Sequence, residues 1–176
     1  REVSVLTAGS MFSPDHVDTG TKVLLENLEL APEDGNILDI GCGWGPIALA
    51  LAIARPEATI WAIDVNERAL ELTRKNAERL GLTNVRTSLP DDVPADISFT
   101  GIWSNPPIRV GKEVLHEILQ TWLPRMEIGG DAYLVVQKNL GSDSLLKWLQ
   151  DSMTSFESSR LETAKSFRVL QVTREG

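Results

Sequence analysis

The chain has 176 residues, 42% of them hydrophobic and 24% charged, and carries a net charge of −8. Those values describe one globular domain long enough to build its own core, and the acidity excludes a protein held to bare nucleic acid by a broad cationic face. Cys42 is the only cysteine, which excludes a disulfide framework and a cysteine zinc site; no apolar run approaches the roughly 18 residues of a membrane span. The expectation is a single domain over residues 1–176, cytoplasmic, with no resident metal and no membrane partner.

In chain order, Thr19-Gly20-Thr21 precedes an amphipathic helix over 22–28. A first strand covers 36–40, and Pro46 opens a helix over 46–54, where its fixed φ suits the first turn. A second strand follows over 58–63, then a helix from Asn66 to Leu80 stopped by Gly81. A weak strand pattern covers 85–88, a fourth strand 97–104, a helix 111–123, and a strongly apolar strand 131–137. A helix over 142–153 precedes two strands, 156–163 and 167–173, split only by Ala164-Lys165-Ser166. Strands alternating with helices predict an α/β fold with a mostly parallel sheet and helices on both faces. The last two strands have too short a connection for anything but an antiparallel pair.

Asp39-Ile40-Gly41-Cys42-Gly43-Trp44-Gly45 ends the first strand. Glycines there permit a tight strand-to-helix turn and remove side chains that would bar a ligand from the backbone. The free N–H groups of the next helix face the same space. Asp64 closes the second strand, 25 residues after Asp39, where a carboxylate can accept both hydroxyls of a ribose. A dinucleotide fold also has glycines followed by an acid, but its fingerprint is Gly-x-Gly-x-x-Gly, whereas these glycines fall at 41, 43 and 45. Asp39 before the first glycine disfavours a pyrophosphate and tolerates a cationic ligand. The pattern points to S-adenosylmethionine.

Ser104-Asn105-Pro106-Pro107-Ile108 ends the fourth strand. An exocyclic amine on a base is a poor nucleophile because its lone pair is delocalised into the ring. The Asn105 side-chain oxygen and the Pro106 carbonyl can each accept one N–H and steer the nitrogen towards sp³ geometry, while Pro106 and Pro107 hold the loop rigid. No strong base is needed, since the methylated amine loses its proton readily; the two histidines, His16 and His116, are not adjacent to this motif.

Together these motifs resemble the class I S-adenosylmethionine-dependent methyltransferases, in particular the methyltransferase-small group and its ribosomal small-subunit guanine-N2 enzymes. The likeness extends over Phe12-Ser13, Asp18-x-Gly20-Thr21, Asp39 to Gly45, Asp64, Ser104 to Arg109, Gln137-Lys138 and Phe167-Arg168-Val169-Leu170. It implies a seven-stranded Rossmann-like sheet with an antiparallel terminal strand. Gly41, Gly43 and Gly45 would pass beneath the cofactor, Asp39 would hold its methionine end and Asp64 its ribose. Thr21 and Asn105 would also contact it, and residues 1–18, with Phe12, would cover the cleft. Asn105, Pro106 and Pro107 would form the catalytic loop, and Phe12, Ile108, Arg109 and Lys138 would meet the substrate, ribosomal RNA or a small-subunit particle.

Two positions depart from that pattern. Many relatives carry an aromatic residue that stacks on the target base where this chain has Ile108, leaving Trp103 or Phe12 to supply stacking. The acid expected to meet the adenine amino group is represented by Asp91 and Asp92, displaced beyond Leu89-Pro90. Arg109, Lys112, Lys138, Lys165 and Arg168 fall near loops of the ligand edge and are either a cationic rim for RNA phosphates or ordinary solvated charges. Two other readings stay open: methylation of a protein glutamine, whose carboxamide nitrogen is equally planar, and a ribosome-associated module that binds the cofactor without catalysis.

Overall fold

The computed structural model describes residues 17–176. Phe12, Ser13, His16 and nearly all of the expected covering segment 1–18 lie outside the described residues. The strands are β1 (Gly35–Ile40), β2 (Ala58–Ile63), β3 (Val85–Ser88), β4 (Phe99–Ser104), β5 (Met126–Gln137), β6 (Phe156–Ala164) and β7 (Phe167–Arg174). They form a seven-stranded sheet in the order β3-β2-β1-β4-β5-β7-β6. The first five strands pair in parallel, and β7 runs antiparallel to both β5 and β6. The chain-terminal strand is therefore interior, and β6 forms the edge. Lys165 and Ser166 join these strands with φ of 51° and 70°, the left-handed pair that matches a tight turn to the twist of a hairpin.

Helices α1 (Thr19–Leu25), α2 (Pro46–Ala54) and α3 (Glu67–Arg79) share one face of the sheet, while α4 (Lys112–Trp122) and α5 (Ser142–Ser152) cover the other. Period-two alternation feeds both layers from one strand: in β1, Ile37 packs with Leu24, Ala48 and Leu51, and Leu38 packs with Ile102, Leu119 and Leu134. That double burial is why β1 and β4 lack the clean apolar–polar alternation of a half-exposed strand. No helix among the described residues is long and apolar enough to cross a membrane.

Two elements differ from the sequence expectation. The first helix starts at Thr19 rather than 22, because Asp18 caps it and its carboxylate accepts the Thr21 N–H at 2.8 Å. Strand β5 begins at Met126 rather than 131. Its pairing with β4 slips between Phe99 and Gly101, and Gly129-Gly130, which break the apolar pattern, lie in this irregular stretch. A side chain at Gly130 would stand 3.2 Å from the Thr100 carbonyl, so glycine there accommodates a bulge rather than ending the strand.

The chain passes from β1 outward to β2 and β3, then returns to place β4 on the other side of β1. That reversal opens a crevice at the carboxyl ends of β1 and β4. The Ser104 hydroxyl, buried, donates to the Ile40 carbonyl at 2.9 Å and ties the two ends together.

Gly45 caps α2 with φ of 102°, and a Cβ there would lie 2.9 Å from both Cγ2 and Oγ1 of Thr73 on α3. Gly45→Ala combines left-handed strain with this collision, so urea unfolding should show a loss of about 2 kcal/mol or more. A wild-type midpoint would contradict the packing described.

Candidate active site

The glycine loop is tied to the end of β2. The N–H groups of Gly41 and Cys42 both donate to the Ile63 carbonyl at 2.9 Å. The Asp64 carboxylate accepts the Gly43 N–H at 3.0 Å on Oδ2 and the Asn66 N–H at 2.9 Å on Oδ1. Each of its oxygens keeps a lone pair for a further donor, so the fixed carboxylate can accept two adjacent hydroxyls. Gly41 and Gly43 have φ of 72° and 57°; a Cβ on Gly41 would come no nearer than 3.9 Å to Pro107, and one on Gly43 would meet nothing within 4 Å. Backbone conformation and open space, not core packing, account for glycine at these two positions. Gly45 serves α2–α3 packing instead.

Cys42 is buried beside Thr73. Burial above all, with the nearby Asp39 carboxyl, pushes its thiol far up, so it stays protonated and unreactive. Asp39 is sealed at 0% exposure and does not line the cleft described below. Its Oδ2 accepts the Ala48 N–H of α2 at 3.1 Å, whereas Oδ1 is buried with no hydrogen-bond partner among the described residues. Burial raises its pKa to about 8, against the Ala48 bond and with a further push from Asp64. Asp39 is thus poised between neutral and charged forms under the loop, where a nearby cation would favour the charged one.

Across the crevice, Asn105 and Pro107 are half-buried and Pro106 is buried. The Asn105 side chain donates from Nδ2 to Asp18 Oδ1 and Oδ2, at 3.3 and 3.4 Å, and to Thr21 Oγ1 at 3.2 Å. Its Oδ1 and the Pro106 carbonyl take no hydrogen bond from any described residue. Gly41, Asp64, Asn105 and Pro107 line one cleft of about 770 Å³, within the size range of small-molecule sites.

The opposite wall comes from Val114, Ile118 and Trp122 of α4, with Val65 and Asp91 at the β2 and β3 ends. Asp91, not Asp92, lines the cleft. The sequence reading missed Val65 and the α4 stripe; the available signal was an apolar residue directly after Asp64, now 83% exposed, on the edge where ligands bind.

Other expected site residues lie elsewhere. Ile108 packs toward α4 and α5 and lines a separate cavity of about 40 Å³ with Leu115, His116 and Leu140. Trp103 is fully buried against Tyr133, ring centroids 4.9 Å apart, and serves the core rather than a stacking platform. Thr21 is buried and lends its hydroxyl to Asn105. Arg109 and Lys138 are exposed in the turns after β4 and β5. Arg168 pairs with Asp143, so its charge is already used. His116 stacks flat on Trp148 at 3.8 Å, its pKa held below the ordinary value by burial and by Lys112. Among the described residues no cluster could hold a metal ion.

Residues 2–171 match the methyltransferase small domain. The chain belongs to that family. Methyltransferases of this family draw on S-adenosylmethionine, which is the cofactor of this chain; left-handed glycines bordering open space and a fixed carboxylate suited to a diol fit its adenosyl half. YbxB of Bacillus subtilis, an uncharacterized protein, is 35% identical over 99% of this chain and 87% of its own length. The ribosomal RNA small subunit methyltransferase C of Shewanella piezotolerans is 32% identical over 90% of this chain and 47% of its own. The Thermus thermophilus 16S rRNA N2 G1207 methyltransferase, solved with AdoMet and guanosine, superposes with a TM-score of 0.73 at 24% identity, over 94% of this chain and 45% of that one. The chain spans about half the length of these two enzymes, and the likeness to the solved one shows the fold.

The Asp39 environment sets a pH dependence in the unliganded protein. Its folded-state pKa is raised to about 8, above an unfolded value of about 4. The folded state therefore holds a proton that the unfolded chain has released, and this contribution to stability is lost as pH rises across that interval. Asp39→Asn removes the penalty: its unfolding free energy in urea should exceed wild type at pH 8, by roughly 1–4 kcal/mol, and converge towards pH 4. A wild-type profile as flat as the variant's would contradict the assignment.

Proposed function

We propose that this methyltransferase acts on the exocyclic N2 amine of a guanine in small-subunit ribosomal RNA, with a ribosomal particle as the natural substrate. The reading rests on one observation: Asn105 and Pro107, whose loop carries two acceptors that take no hydrogen bond from a described residue, line the same cleft as Gly41 and Asp64. Gly41 and Gly43 would let the cofactor lie against the backbone, and Asp64 would accept its ribose hydroxyls. S-adenosylmethionine, when bound, supplies a methyl carbon on a sulfonium, which the amine nitrogen takes as sulfur leaves with the C–S electron pair.

Asn105 Oδ1 and the Pro106 carbonyl would each accept one amine N–H, holding the nitrogen lone pair on the methyl axis. The extra proton of the product passes to water, so no basic side chain is required, consistent with a His116 committed to Trp148. Exposed Arg109 and Lys138 flank this edge and would meet phosphates. The relatives support an RNA substrate through the Shewanella and Thermus enzymes, whose names specify ribosomal RNA.

Purified protein and labelled cofactor should be incubated with small subunits, stripped ribosomal RNA and stripped ribosomal proteins. The expected product is N2-methylguanosine in RNA, and Asn105→Ala should lower turnover at least about 100-fold while cofactor affinity stays within a few-fold. Label appearing only in protein, as N-methylglutamine, would favour the carboxamide substrate. No label in any fraction would overturn the proposal.

A further inference from the structure

An amide is a useful acceptor only if its oxygen, not its NH₂, faces the substrate, and the two ends of Asn105 are nearly the same size and shape. Something must choose between them. In this structure three oxygens lie on one side of the amide: both carboxylate oxygens of Asp18 and the hydroxyl of Thr21, at 3.2 to 3.4 Å from Nδ2. A carboxylate can only accept. The NH₂ must therefore face Asp18, which leaves Oδ1 as the end that no described residue bonds. Reversing the amide would set its oxygen against an anionic carboxylate.

Resting on the proposed role of Asn105, we infer that Asp18 and Thr21 are positioning residues that lock the Asn105 amide with its oxygen directed at the amine. The surrounding residues hold these acceptors in place. Asp18 is the N-cap of α1 and accepts the Thr21 N–H at 2.8 Å. Gly20 lets that turn press onto β7, since a Cβ there would sit 2.7 Å from the Phe167 ring. Thr21 is 3% exposed, so its hydroxyl cannot swing away. The Asp18-x-Gly20-Thr21 sequence is thereby one device: a cap that is also an acceptor, a close approach, and a second acceptor.

Asp18→Asn tests this without removing the cap, because asparagine caps as well as aspartate, but its amide can meet either end of Asn105. Expected are a fall in kcat of about 10-fold or more, KM and cofactor Kd within about 3-fold, and an unchanged melting temperature. Asn105→Asp alone opposes two carboxylates and should be slower still. The double variant Asp18→Asn with Asn105→Asp lets an amide donate to a carboxylate whose other oxygen accepts the amine, and should recover at least about 10-fold over Asn105→Asp. A purely structural Asp18 would give no such recovery. Asp18→Asn at the wild-type kcat, or a double variant no better than Asn105→Asp, overturns the inference.

A readout independent of substrate separates it from the functional reading. In wild type, NMR should show cross-peaks from the Asn105 NH₂ protons to the Thr21 side chain. Asp18→Asn should weaken them. Their absence in wild type overturns the positioning role whatever the substrate, whereas their presence in a protein that methylates no amine overturns the functional reading.

Discussion

The reversal of strand order between β1 and β4 is the constraint from which the site follows. Two loops that are distant in sequence leave adjacent strand ends in the same direction, and the Ser104 hydroxyl bonded to the Ile40 carbonyl fixes their spacing. One loop is shaped by left-handed glycines and offers bare backbone; the other is stiffened by Pro106 and Pro107 and offers oxygens. Because the glycine loop is bonded through its backbone to Ile63 and the second loop leaves a strand tied to Ile40 by the Ser104 hydroxyl, their relation to one another is set before any ligand arrives. Little energy then remains to be spent on ordering when a cofactor and an amine meet there.

Electrostatics in the site is arranged in depth. Asp64 stands at the cleft surface with both oxygens already oriented, while Asp39 lies beneath the loop with one oxygen unpartnered among the described residues. Burial above all, with a further push from the neighbouring Asp64, favours the neutral form of Asp39. A cation held beside Asp39 would oppose both effects. Neither Cys42 nor His116 takes part: one is a protonated thiol among core atoms, the other a ring stacked on Trp148.

Much of the fold was legible because strands buried on both faces leave short, largely apolar segments between helices, and because Pro46, Asn66 and Gly81 mark helix ends by backbone chemistry. Strand β5 was read five residues short, since a glycine-rich bulge looks like a loop until its neighbour is known. In the site, Asp64 and Asn105 were legible because their chemistry is bound to position at a strand end. Val114, Ile118 and Trp122 were not, because an apolar helix stripe looks the same whether it faces core or cleft. Trp103 illustrates the converse: adjacency to a functional loop suggested stacking, but strand alternation turned it into the core. Asp18 was noticed only as part of a motif. Its tie to Asn105 spans 87 residues and is visible only once the loop after β4 reaches the N-terminus of α1.

The most direct measurement is a structure of the protein with S-adenosylhomocysteine and guanosine bound together. The predicted result is an adenosyl ribose on Asp64 and the guanine exocyclic nitrogen within about 2.7–3.2 Å of both Asn105 Oδ1 and the Pro106 carbonyl. An adenosyl group outside the cleft lined by Gly41, Asp64 and Asn105, or an Asn105 whose NH₂ rather than oxygen meets the nucleoside, would contradict it.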